Sequence, residues 1–355
     1  MEKRRKILYA VLNWGIGHAT RSLPIIRELI KDHDVTVLST GRSLSLLKSE
    51  LPHLEFIDHP DYSVKYTKRG GALLFSLFFQ LPGILLRLRS EQRFTEELIK
   101  NRKYDRIISD NRYGIYSRSV PSYFITHQIR FKLPGGLKYF EPLSEWFNRS
   151  YFRNYRKIFI PDEKGEVNLS GSLSHGLEFI NNPKITYAGI LADLKGNEPE
   201  IYSDYLFIIS GPEPQRTIFE KKIIEQSDKL EGKKIIVRGV TESDEMYSAG
   251  STVIYSSVKR EKLTAMIKGA ETVISRPGYS TVMELVSYGK KALFIPTPGQ
   301  TEQEYLARYY KNKSYFSYVS QEEMELERDV IDLNDKNIPC LVPNKISGII
   351  NEIVS

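Results

Sequence analysis

Cysteine is almost absent from this sequence of 355 residues, in which Cys340 is the only one. A single thiol excludes an intramolecular disulfide and any cysteine-rich metal site, so we predict a reducing, cytoplasmic setting. Low-complexity tracts are absent as well, and the composition is 41% hydrophobic and 27% charged. These proportions are typical of an ordinary folded protein and argue against intrinsic disorder.

Apolar runs long enough to cross a membrane are also missing. A stretch of fifteen residues from Ala72 to Leu86 carries no charge, but Pro82 and Gly83 interrupt it. It falls short of the roughly 20 residues that a membrane-spanning helix needs. The basic start of the chain precedes only a short apolar run, which predicts a first strand rather than a secretion signal.

Positive charge is concentrated in the first half of the chain. Residues 1–190 contain 30 Lys and Arg against 19 Asp and Glu, a net charge of +11, whereas residues 191–355 contain 21 against 25, a net charge of −4. This asymmetry favours an anionic partner: nucleic acid, a phospholipid surface or a phosphorylated acceptor. Nucleic acid is not expected, because no helix-turn-helix, zinc or RNA-binding signature accompanies the charge. Solubility alone is the simpler explanation.

Short apolar runs alternate with amphipathic stretches along most of the chain. This pattern predicts parallel sheets covered on both faces by helices, an α/β fold. The alternation breaks near residues 181–203, where polar, proline and glycine residues accumulate, and then restarts. We predict Rossmann-like domains at residues 1–185 and 186–335, and a C-terminal helix in residues 336–355 that packs back on the first domain. The predicted strands cover residues 6–12, 34–40, 54–58, 105–110, 122–127, 157–162, 204–210, 233–240, 251–257, 272–276 and 291–297.

The loop after the first predicted strand reads "NWGIGHATRS", residues 13–22. Gly15 and Gly17 would let a ligand approach the backbone, and the following helix start suits an anion. The loop does not match a dinucleotide fingerprint, because Thr20 occupies the third glycine position and no acidic residue ends the second strand. His18 is a candidate acid or base, and a cap or core histidine is the structural alternative.

Two loops of the second half combine turn residues with polar groups. The loop "IISGPEPQR", residues 208–216, is a candidate phosphate cradle in which Gly211 turns the chain and Gln215 and Arg216 open a helix. The loop "PTPGQTEQEYLA", residues 296–307, crowds amides and carboxylates at a strand end, which favours recognition of sugar hydroxyls over helix capping alone. Those residues are Gln300, Thr301, Glu302, Gln303 and Glu304.

Between these loops lies "SRPGYSTVMELVSYG", residues 275–289. Arg276 ends a predicted strand, and Pro277 with Gly278 makes a turn. Ser280 and Thr281 give an N-cap signal for the next helix, and Glu284 could complete a capping box. The same positions at the carboxyl end of a parallel strand are where α/β sheets bind ligands, so a binding role is the competing hypothesis.

Two segments resemble a known family. The first is "VISRPGYSTVMELVSYGKKALFIPTPGQTEQEYLA", which is similar to the donor-nucleotide region of GT-B glycosyltransferases of the family 28 type. This group includes the bacterial peptidoglycan N-acetylglucosaminyltransferase, which acts on a lipid-linked acceptor. The second is "NWGIGHATRSLPIIREL", which resembles that group's glycine-rich loop and histidine, although Asn13 and Trp14 replace glycines that the group often has.

The resemblance implies the GT-B fold, in which two Rossmann-like domains face each other across a cleft. It also implies an inverting, metal-independent reaction with a nucleotide sugar, UDP-linked, as substrate and no cofactor. By position, Glu284 would bind the ribose, and Gly278, Ser280 and Thr281 would hold the diphosphate. Residues 211–216 would bind the nucleotide phosphates, and residues 258–262 would lie near the nucleobase. Four residues would face the donor sugar: Gln300, Glu302, Gln303 and Glu304.

Inversion by single displacement needs a general base on the acceptor side. His18 is the first candidate, and Asp110 and His127 are alternatives because both end predicted strands of the first domain. Each of these two could equally be structural.

The segment 65–93 is the acceptor clue. Its apolar centre is flanked by basic residues, a composition that suits an interfacial segment on anionic lipid headgroups, and a buried helix is the alternative. A second basic cluster lies around residues 127–157. We therefore predict a peripheral protein on the inner face of the membrane with a lipid-linked, phosphorylated or glycan acceptor.

Two other functions compete with sugar transfer. A nucleotide-sugar 2-epimerase also uses two Rossmann-like domains, but it needs no second substrate and therefore no acceptor segment. A non-catalytic membrane- or nucleic-acid-binding protein would account for the sequence pI of about 9.1. No feature of the sequence indicates an oligomeric state.

Overall fold

The computed structural model describes residues 4–61, 73–178, 183–192, 201–240, 245–333, 336–341 and 346–355. The chain divides into two compact units. The N-terminal unit comprises Met1–Asp193 together with Val342–Ser355, and the C-terminal unit comprises Leu194–Leu341.

The N-terminal unit is built on a parallel sheet of seven strands in the order β3-β2-β1-β4-β5-β6-β7. The interior strand β1 is largely apolar and its last five residues are fully buried, as is typical of a parallel sheet covered by helices on both faces. The strands are β1 Lys6–Val11, β2 Asp34–Ser39, β3 Glu55–Asp58, β4 Arg106–Asp110, β5 Ser122–Ile125, β6 Lys157–Ile160 and β7 Ile185–Tyr187. The helices are α1 Gly17–Leu29, α2 Gly41–Glu50, α3 Leu73–Arg102, α4 Glu141–Phe152 and, at the chain's end, α10 Ile346–Val354, with 3₁₀ helices at Gly135–Phe140 and Gly171–Leu173.

Helix α10 belongs to the N-terminal unit although the whole C-terminal unit precedes it in sequence. Arg106 Nε donates to the Ile353 carbonyl over 2.6 Å, and Arg5 Nη2 donates to the Val354 carbonyl over 3.1 Å. Cations at the last turn of a helix satisfy carbonyls that lack partners within the helix and complement its dipole. Ile349 and Ile353 are buried, so α10 also closes part of this unit's core.

The C-terminal unit contains a second sheet of seven strands in the order β10-β11-β9-β8-β12-β13-β14, in which only β10 is antiparallel to its neighbour. Its core joins side chains such as Phe207, Phe219 and Ile274. The strands are β8 Ser203–Ile208, β9 Lys234–Val237, β10 Met246–Ala249, β11 Thr252–Tyr255, β12 Ala270–Ser275, β13 Lys291–Phe294 and β14 Ser317–Tyr318. The helices are α5 Gln215–Ser227, α6 Arg260–Gly269, α7 Tyr279–Ser287, α8 Thr301–Asn312 and α9 Leu326–Asp329, with a 3₁₀ helix at Ile331–Leu333.

The predicted α/β class with two Rossmann-like sheets is confirmed. The sequence pattern does not predict β7, β10 or β14, which are short and have two to four residues each. Much of the predicted acceptor segment, residues 62–72 and the side chains up to residue 81, lies outside the described residues. No helix in the described ranges is both long and apolar enough to cross a membrane.

Candidate functional site

One cluster of polar side chains lies at the carboxyl edge of the N-terminal sheet. His18 and Arg21 belong to the first turns of α1, Asp110 ends β4, and His127 follows β5 by two residues. Strands β1, β4 and β5 are neighbours, and Val11 pairs with Asp110, which in turn pairs with Ile125. Their carboxyl ends therefore meet at one place, and the three residues predicted as alternative bases lie together.

Asp110 is the centre of this cluster. Its side chain is fully buried and accepts hydrogen bonds from His18 Nδ1 over 2.7 Å, from Arg21 Nε over 2.7 Å and from Ser22 Oγ over 3.1 Å. Arg21 Nη2 makes a further short contact with the carboxylate. A buried carboxylate with this many donors is held in one orientation and is stabilised in its ionised form.

The contacts assign the tautomer of His18. Nδ1 lies near both the Asp110 carboxylate and Arg21 Nη2, at 2.7 Å and 2.9 Å. Asp110 can only accept and Arg21 can only donate, so the Nδ1 proton decides between them. The ionised carboxylate is the stronger acceptor, and Nη2 already donates to it, so Nδ1 carries the proton. Nε2 is then unprotonated, and no hydrogen-bond partner meets it within the part of the chain that the structure describes.

Burial and the Arg21 guanidinium lower the pKa of His18 below its ordinary value of 6.5, although Asp110 opposes this shift. Burial alone would raise the pKa of Asp110, but Arg21 and His18 together hold it well below its usual range. At neutral pH the pair is therefore a neutral imidazole hydrogen-bonded to a carboxylate. This arrangement presents Nε2 as a proton acceptor.

His127 has the opposite tautomer. Its Nδ1 accepts a hydrogen bond from Arg21 Nη1 over 2.8 Å. Because arginine only donates, the proton of a neutral His127 is on Nε2. His127 therefore presents a donor where His18 presents an acceptor.

The glycine loop before α1 is held by Asn13. Its backbone N–H donates to Asp61 Oδ2 over 2.8 Å, and its side-chain oxygen accepts from the Ser43 amide over 3.0 Å. Gly15 adopts a φ of +80°, a conformation that favours glycine, and Gly17 begins α1. Helix α1 has no side-chain cap and no acidic residue in its first turn.

In the C-terminal unit the carboxyl ends of β8, β12 and β13 are neighbours. The three loops that the sequence singled out follow these strands. Helix α7 begins at Tyr279, and its N-cap is Gly278, whose φ of −68° and ψ of 132° are extended. The predicted N-cap at Ser280 and Thr281 is wrong, because both already lie inside the first turn. The helix starts without a side-chain cap or a first-turn acid, so its amide end suits an anion.

Glu284 is not a capping residue. It lies more than one turn into α7, where its buried carboxylate contacts the guanidinium of Arg260 at the start of α6. Arg260 Nε is buried and has no hydrogen-bond partner among the described residues. The capping hypothesis is wrong because Gly278 occupies the N-cap and Glu284 faces a neighbouring helix instead of its own amide end. Arg260 falls within residues 258–262, which the family resemblance places near the nucleobase of the donor.

Arg276 ties the loops of this edge together. It is buried, and its Nη1 donates to the carbonyls of Ile295 and Pro296, each over 2.8 Å. Its Nη2 contacts the Gln215 carbonyl at 3.4 Å and the Gln321 side chain. No carboxylate pairs with it in the described part of the chain, and burial lowers its pKa to about 9. Arg276 therefore joins the start of the loop after β13 to the end of the loop before α5. Its positive charge has no carboxylate counter-ion among the described residues.

Three other predicted residues form hydrogen bonds or ion pairs with neighbouring residues of their own unit. Gln303 Oε1 accepts from the Thr297 amide and Glu304 Oε1 from the Gly299 amide, both over 2.8 Å, so these side chains shape the loop before α8. Arg216 pairs with Glu213 and Glu220. Gly211 turns the chain with a φ of +123°, Gln215 begins α5, Gln300 is the N-cap of α8, and Thr301 and Glu302 form its first turn.

Comparison with known proteins decides the class of this chain. Residues 207–338 match the model of the glycosyltransferase family 28 C-terminal domain, and residues 5–111 match that of glycosyl transferase family 1. The chain is a glycosyltransferase. The matched regions contain His18, Asp110 and all three loops of the C-terminal unit, and the predicted enzyme class and the family 28 resemblance are confirmed.

Similar proteins share the architecture of this glycosyltransferase over nearly its whole length. An uncharacterized glycosyltransferase of Methanosarcina mazei is 25% identical, covering 92% of this chain and 90% of the relative. The structure of Acinetobacter baumannii MurG is 13% identical with a TM-score of 0.57, covering 98% of this chain and 99% of that one. The structure of Arabidopsis thaliana UGT89C1 complexed with UDP-L-rhamnose is 14% identical with a TM-score of 0.59, covering 94% and 90%. These likenesses show that the glycosyltransferase has the GT-B fold.

Two residues of these side-chain clusters were missed by sequence reasoning. Arg21 follows His18 by three residues, so helical spacing could have placed both on one face. Arg260 has no such signal, because its contact with Glu284 joins two helices. Across the described ranges, no group of three or more histidine, cysteine and acidic side chains could hold a metal ion.

Proposed function

We propose that this glycosyltransferase moves a sugar from a UDP-sugar to an acceptor hydroxyl by single displacement with inversion, without a metal ion. One observation carries the proposal. His18 is neutral, is oriented through Nδ1 by a buried carboxylate, and has an unprotonated Nε2 with no partner among the described residues.

In the proposed step the acceptor oxygen bonds to the anomeric carbon of the donor sugar as the bond from that carbon to the phosphate oxygen breaks. The hydroxyl proton passes to His18 Nε2, and the electron pair leaves with UDP. Asp110 stabilises the imidazolium that forms, and Arg21 disfavours a permanently protonated histidine. Asp110 itself, held ionised by three donors, keeps a positioning role.

The donor is assigned to the C-terminal unit. The uncapped start of α7, with Gly278, Ser280 and Thr281, suits the diphosphate, and the charge of Arg276 beneath the loops favours the same anion. Glu284, whose carboxylate pairs with Arg260, is the residue proposed to bind the ribose hydroxyls. Gly211 and Gln215 lie beside the phosphates, and Gln300, Thr301 and Glu302 face the sugar. The UDP-L-rhamnose complex of the similar plant enzyme supports a UDP donor.

The acceptor is proposed to be lipid-linked or phosphorylated and to be used at the cytoplasmic face of a membrane. The net charge of +11 in residues 1–190 supports an anionic partner for this half of the chain. In the described end of the segment 65–93, the α3 side chains Leu86, Arg87 and Arg89 are exposed.

A calorimetric titration with UDP-, dTDP- and GDP-sugars tests the donor, followed by assays of UDP release with hydroxyl acceptors. We expect UDP-sugars to bind. His18→Gln should bind the donor as the wild type does and lose about 10²- to 10⁴-fold in turnover, the usual contribution of a general base. His53→Gln, an exposed histidine of the same unit, is the control.

Three results would contradict parts of the proposal. Binding of no nucleotide sugar would remove the donor assignment, and full turnover by His18→Gln would remove the base. Isomerised donor sugar in the absence of acceptor would favour an epimerase.

A further inference from the structure

Helix α4 turns several of its polar side chains inward. Its buried positions include Glu141, Glu145 and Asn148, which are spaced three or four residues apart and therefore lie on one face. Asn148 donates from Nδ2 to the Ile129 carbonyl and accepts from Tyr113 Oη, both over 2.7 Å. The buried side of α4 thus combines hydrogen-bonding groups with apolar ones, since Phe152 is buried and Phe147 and Tyr151 pack against the same core.

Both carboxylates of this face are neutralised from within the unit. Glu141 accepts from Lys132 Nζ over 2.7 Å, and Glu145 accepts from Arg130 Nε over 2.7 Å. These pairs fasten α4 to residues 129–133, which follow the His127 region. The inward orientation is therefore fixed by named bonds.

The opposite side of this element is apolar and exposed. Tyr139 is 90% exposed, Phe140 54%, Leu143 61% and Trp146 66%. We call these four residues the α4 outer face. Leu143 and Trp146 lie three residues apart on α4, so neighbouring turns present them on one side, and Tyr139 and Phe140 end the 3₁₀ helix that leads into α4. Contiguous exposed apolar side chains of this size mark a surface that another molecule covers.

Every exposed charge within the stretch 135–156 is positive. Both acidic residues of the stretch 135–156 are the buried Glu141 and Glu145. The exposed charged residues of that stretch are Lys138, Arg149, Arg153 and Arg156. Exposed cations without an exposed carboxylate in the same stretch complement a surface of negative charge.

We propose that the α4 outer face inserts into the interfacial region of a bilayer that contains anionic lipids. Tryptophan and tyrosine prefer the boundary between headgroups and acyl chains, leucine and phenylalanine enter the apolar side, and the cations bind headgroup phosphates. A protein partner would supply hydrogen-bonding groups and charges of both signs at its rim, which this surface does not match. The inference lies outside the residues proposed for sugar transfer and holds whether or not the acceptor is lipid-linked.

Co-sedimentation with vesicles tests the surface. We expect binding to vesicles of equal parts phosphatidylcholine and phosphatidylglycerol, weak binding to phosphatidylcholine alone, and loss of binding as salt is raised. Leu143→Gln with Trp146→Gln should reduce binding at least about tenfold. Each of Arg149→Gln and Arg153→Gln should reduce it about fivefold, the equivalent of one headgroup charge contact. The matched control is Met246→Gln with Tyr247→Gln, which removes two exposed apolar side chains of the other unit.

Tryptophan fluorescence gives a second readout. The chain has only Trp14 and Trp146, so Trp14→Phe leaves the α4 outer face as the sole reporter. We expect its emission to shift to the blue with anionic vesicles and to be quenched by lipids brominated in the acyl chain. The melting temperatures of the surface variants should stay within about 2 °C of the wild type, which shows that they fold.

Any of four results would overturn the proposal: no binding of the wild type to anionic vesicles, equal binding to neutral vesicles, wild-type binding by the Leu143→Gln and Trp146→Gln variant, or an unshifted Trp146 spectrum. A dimer that this variant abolishes, without vesicle binding by the wild type, would assign the surface to self-association instead.

Discussion

The chemistry proposed for the N-terminal unit depends on the surroundings of one imidazole. His18 is flanked by a cation and an anion, and burial favours its neutral form. The carboxylate fixes which nitrogen carries the proton, and the guanidinium keeps the other nitrogen unprotonated at neutral pH. Removing either neighbour should therefore change a different property of the same base.

The pH profile of kcat/KM reports the pKa of this base in the free enzyme. Only unprotonated His18 can take a proton, so activity should be constant above its pKa and fall as the pH drops through it. Because the pKa is lowered, the acid limb should lie below pH 6.5. Arg21→Gln removes a positive neighbour and should move the limb to higher pH. If the acid limb of Arg21→Gln stays where it is in the wild type, the limb does not report the titration of His18.

Asp110→Asn should destabilise the protein. The substitution leaves the buried guanidinium of Arg21 without its counter-ion, which typically costs about 3–5 kcal/mol in the free energy of unfolding. Because the folded-state pKa of Asp110 is lowered, its contribution is complete above about pH 4 and is lost as the pH falls toward the lowered value. Urea unfolding at neutral and acidic pH measures both effects.

The control for this prediction is Asp34→Asn, which breaks an exposed pair with Arg4 and should leave the unfolding free energy nearly unchanged. Equal losses in the two variants would show that the Asp110 pair has no special weight.

The sequence identified the separate residues of this cluster but did not show that they lie together. The glycine loop and strand ends predicted His18, Asp110 and His127 as alternative candidates, because a parallel sheet places them at one edge. That they form one group depends on β1 lying beside β4 and β4 beside β5, and His18 and Asp110 are 92 positions apart. Arg21 was missed because a basic residue in an amphipathic helix is usually solvated.

At the scale of elements, the proposed donor site is a set of loops tied to one another. Gln303 and Glu304 bind the backbone of their own loop, and Arg276 joins that loop to the one before α5. The sequence predicted these positions from their polar residue types. It could not distinguish side chains that shape a loop from those left to bind a ligand, because the difference lies in which backbone amides need an acceptor.

Comparing Glu284→Gln with Arg260→Gln distinguishes a role of Glu284 in binding the ligand from its role in the ion pair. Both variants break the same buried pair, but only the first removes the carboxylate proposed for the ribose. We expect Glu284→Gln to weaken UDP-sugar affinity by about tenfold or more, since a hydrogen bond to a charged group contributes about 1.5–3 kcal/mol. Titration calorimetry on both variants measures this. Equal weakening by Arg260→Gln would assign the loss to the ion pair.

Helix α4 shows where pattern reasoning gives the wrong face. Leu143 and Trp146 would be placed inside, and Glu141 and Glu145 outside, by the usual rule for an amphipathic helix. The structure places these four residues the other way round, because Lys132 and Arg130 neutralise the two carboxylates within the unit. Phe147, Tyr151 and Phe152 of the same helix pack inward as the rule expects. The sequence contains all four charges but not their pairing across the intervening turn.

At the scale of the whole molecule, the alternation of strands and helices was sufficient to predict two Rossmann-like sheets. The short strands β7, β10 and β14 escaped prediction because they extend the sheet margins, where fewer apolar residues are required. The order of strands within each sheet also lay beyond the pattern, which gives the strands but not their neighbours.

Helix α10 should matter to the stability of the N-terminal unit. Ile353 is fully buried, and Ile353→Ala should lower the free energy of unfolding by about 2–5 kcal/mol. Asn351→Ala, at an exposed position of the same helix, is the matched control and should have little effect. Both tryptophans belong to this unit, so thermal melts followed by their fluorescence report on it. Equal melting of both variants would mean that α10 adds little.

The placement of α10 also imposes an order on folding during synthesis. A ribosome completes all of residues 194–341 before it makes the last helix of the N-terminal unit. Until α10 is made, the apolar surface that it covers is exposed. The guanidinium groups of Arg5 and Arg106 then lack the carbonyl groups of α10 to which they donate. The second unit can therefore finish folding first, although translation begins with the other. A released chain that ends just before residue 346 should contain a folded C-terminal unit and an unfinished N-terminal one.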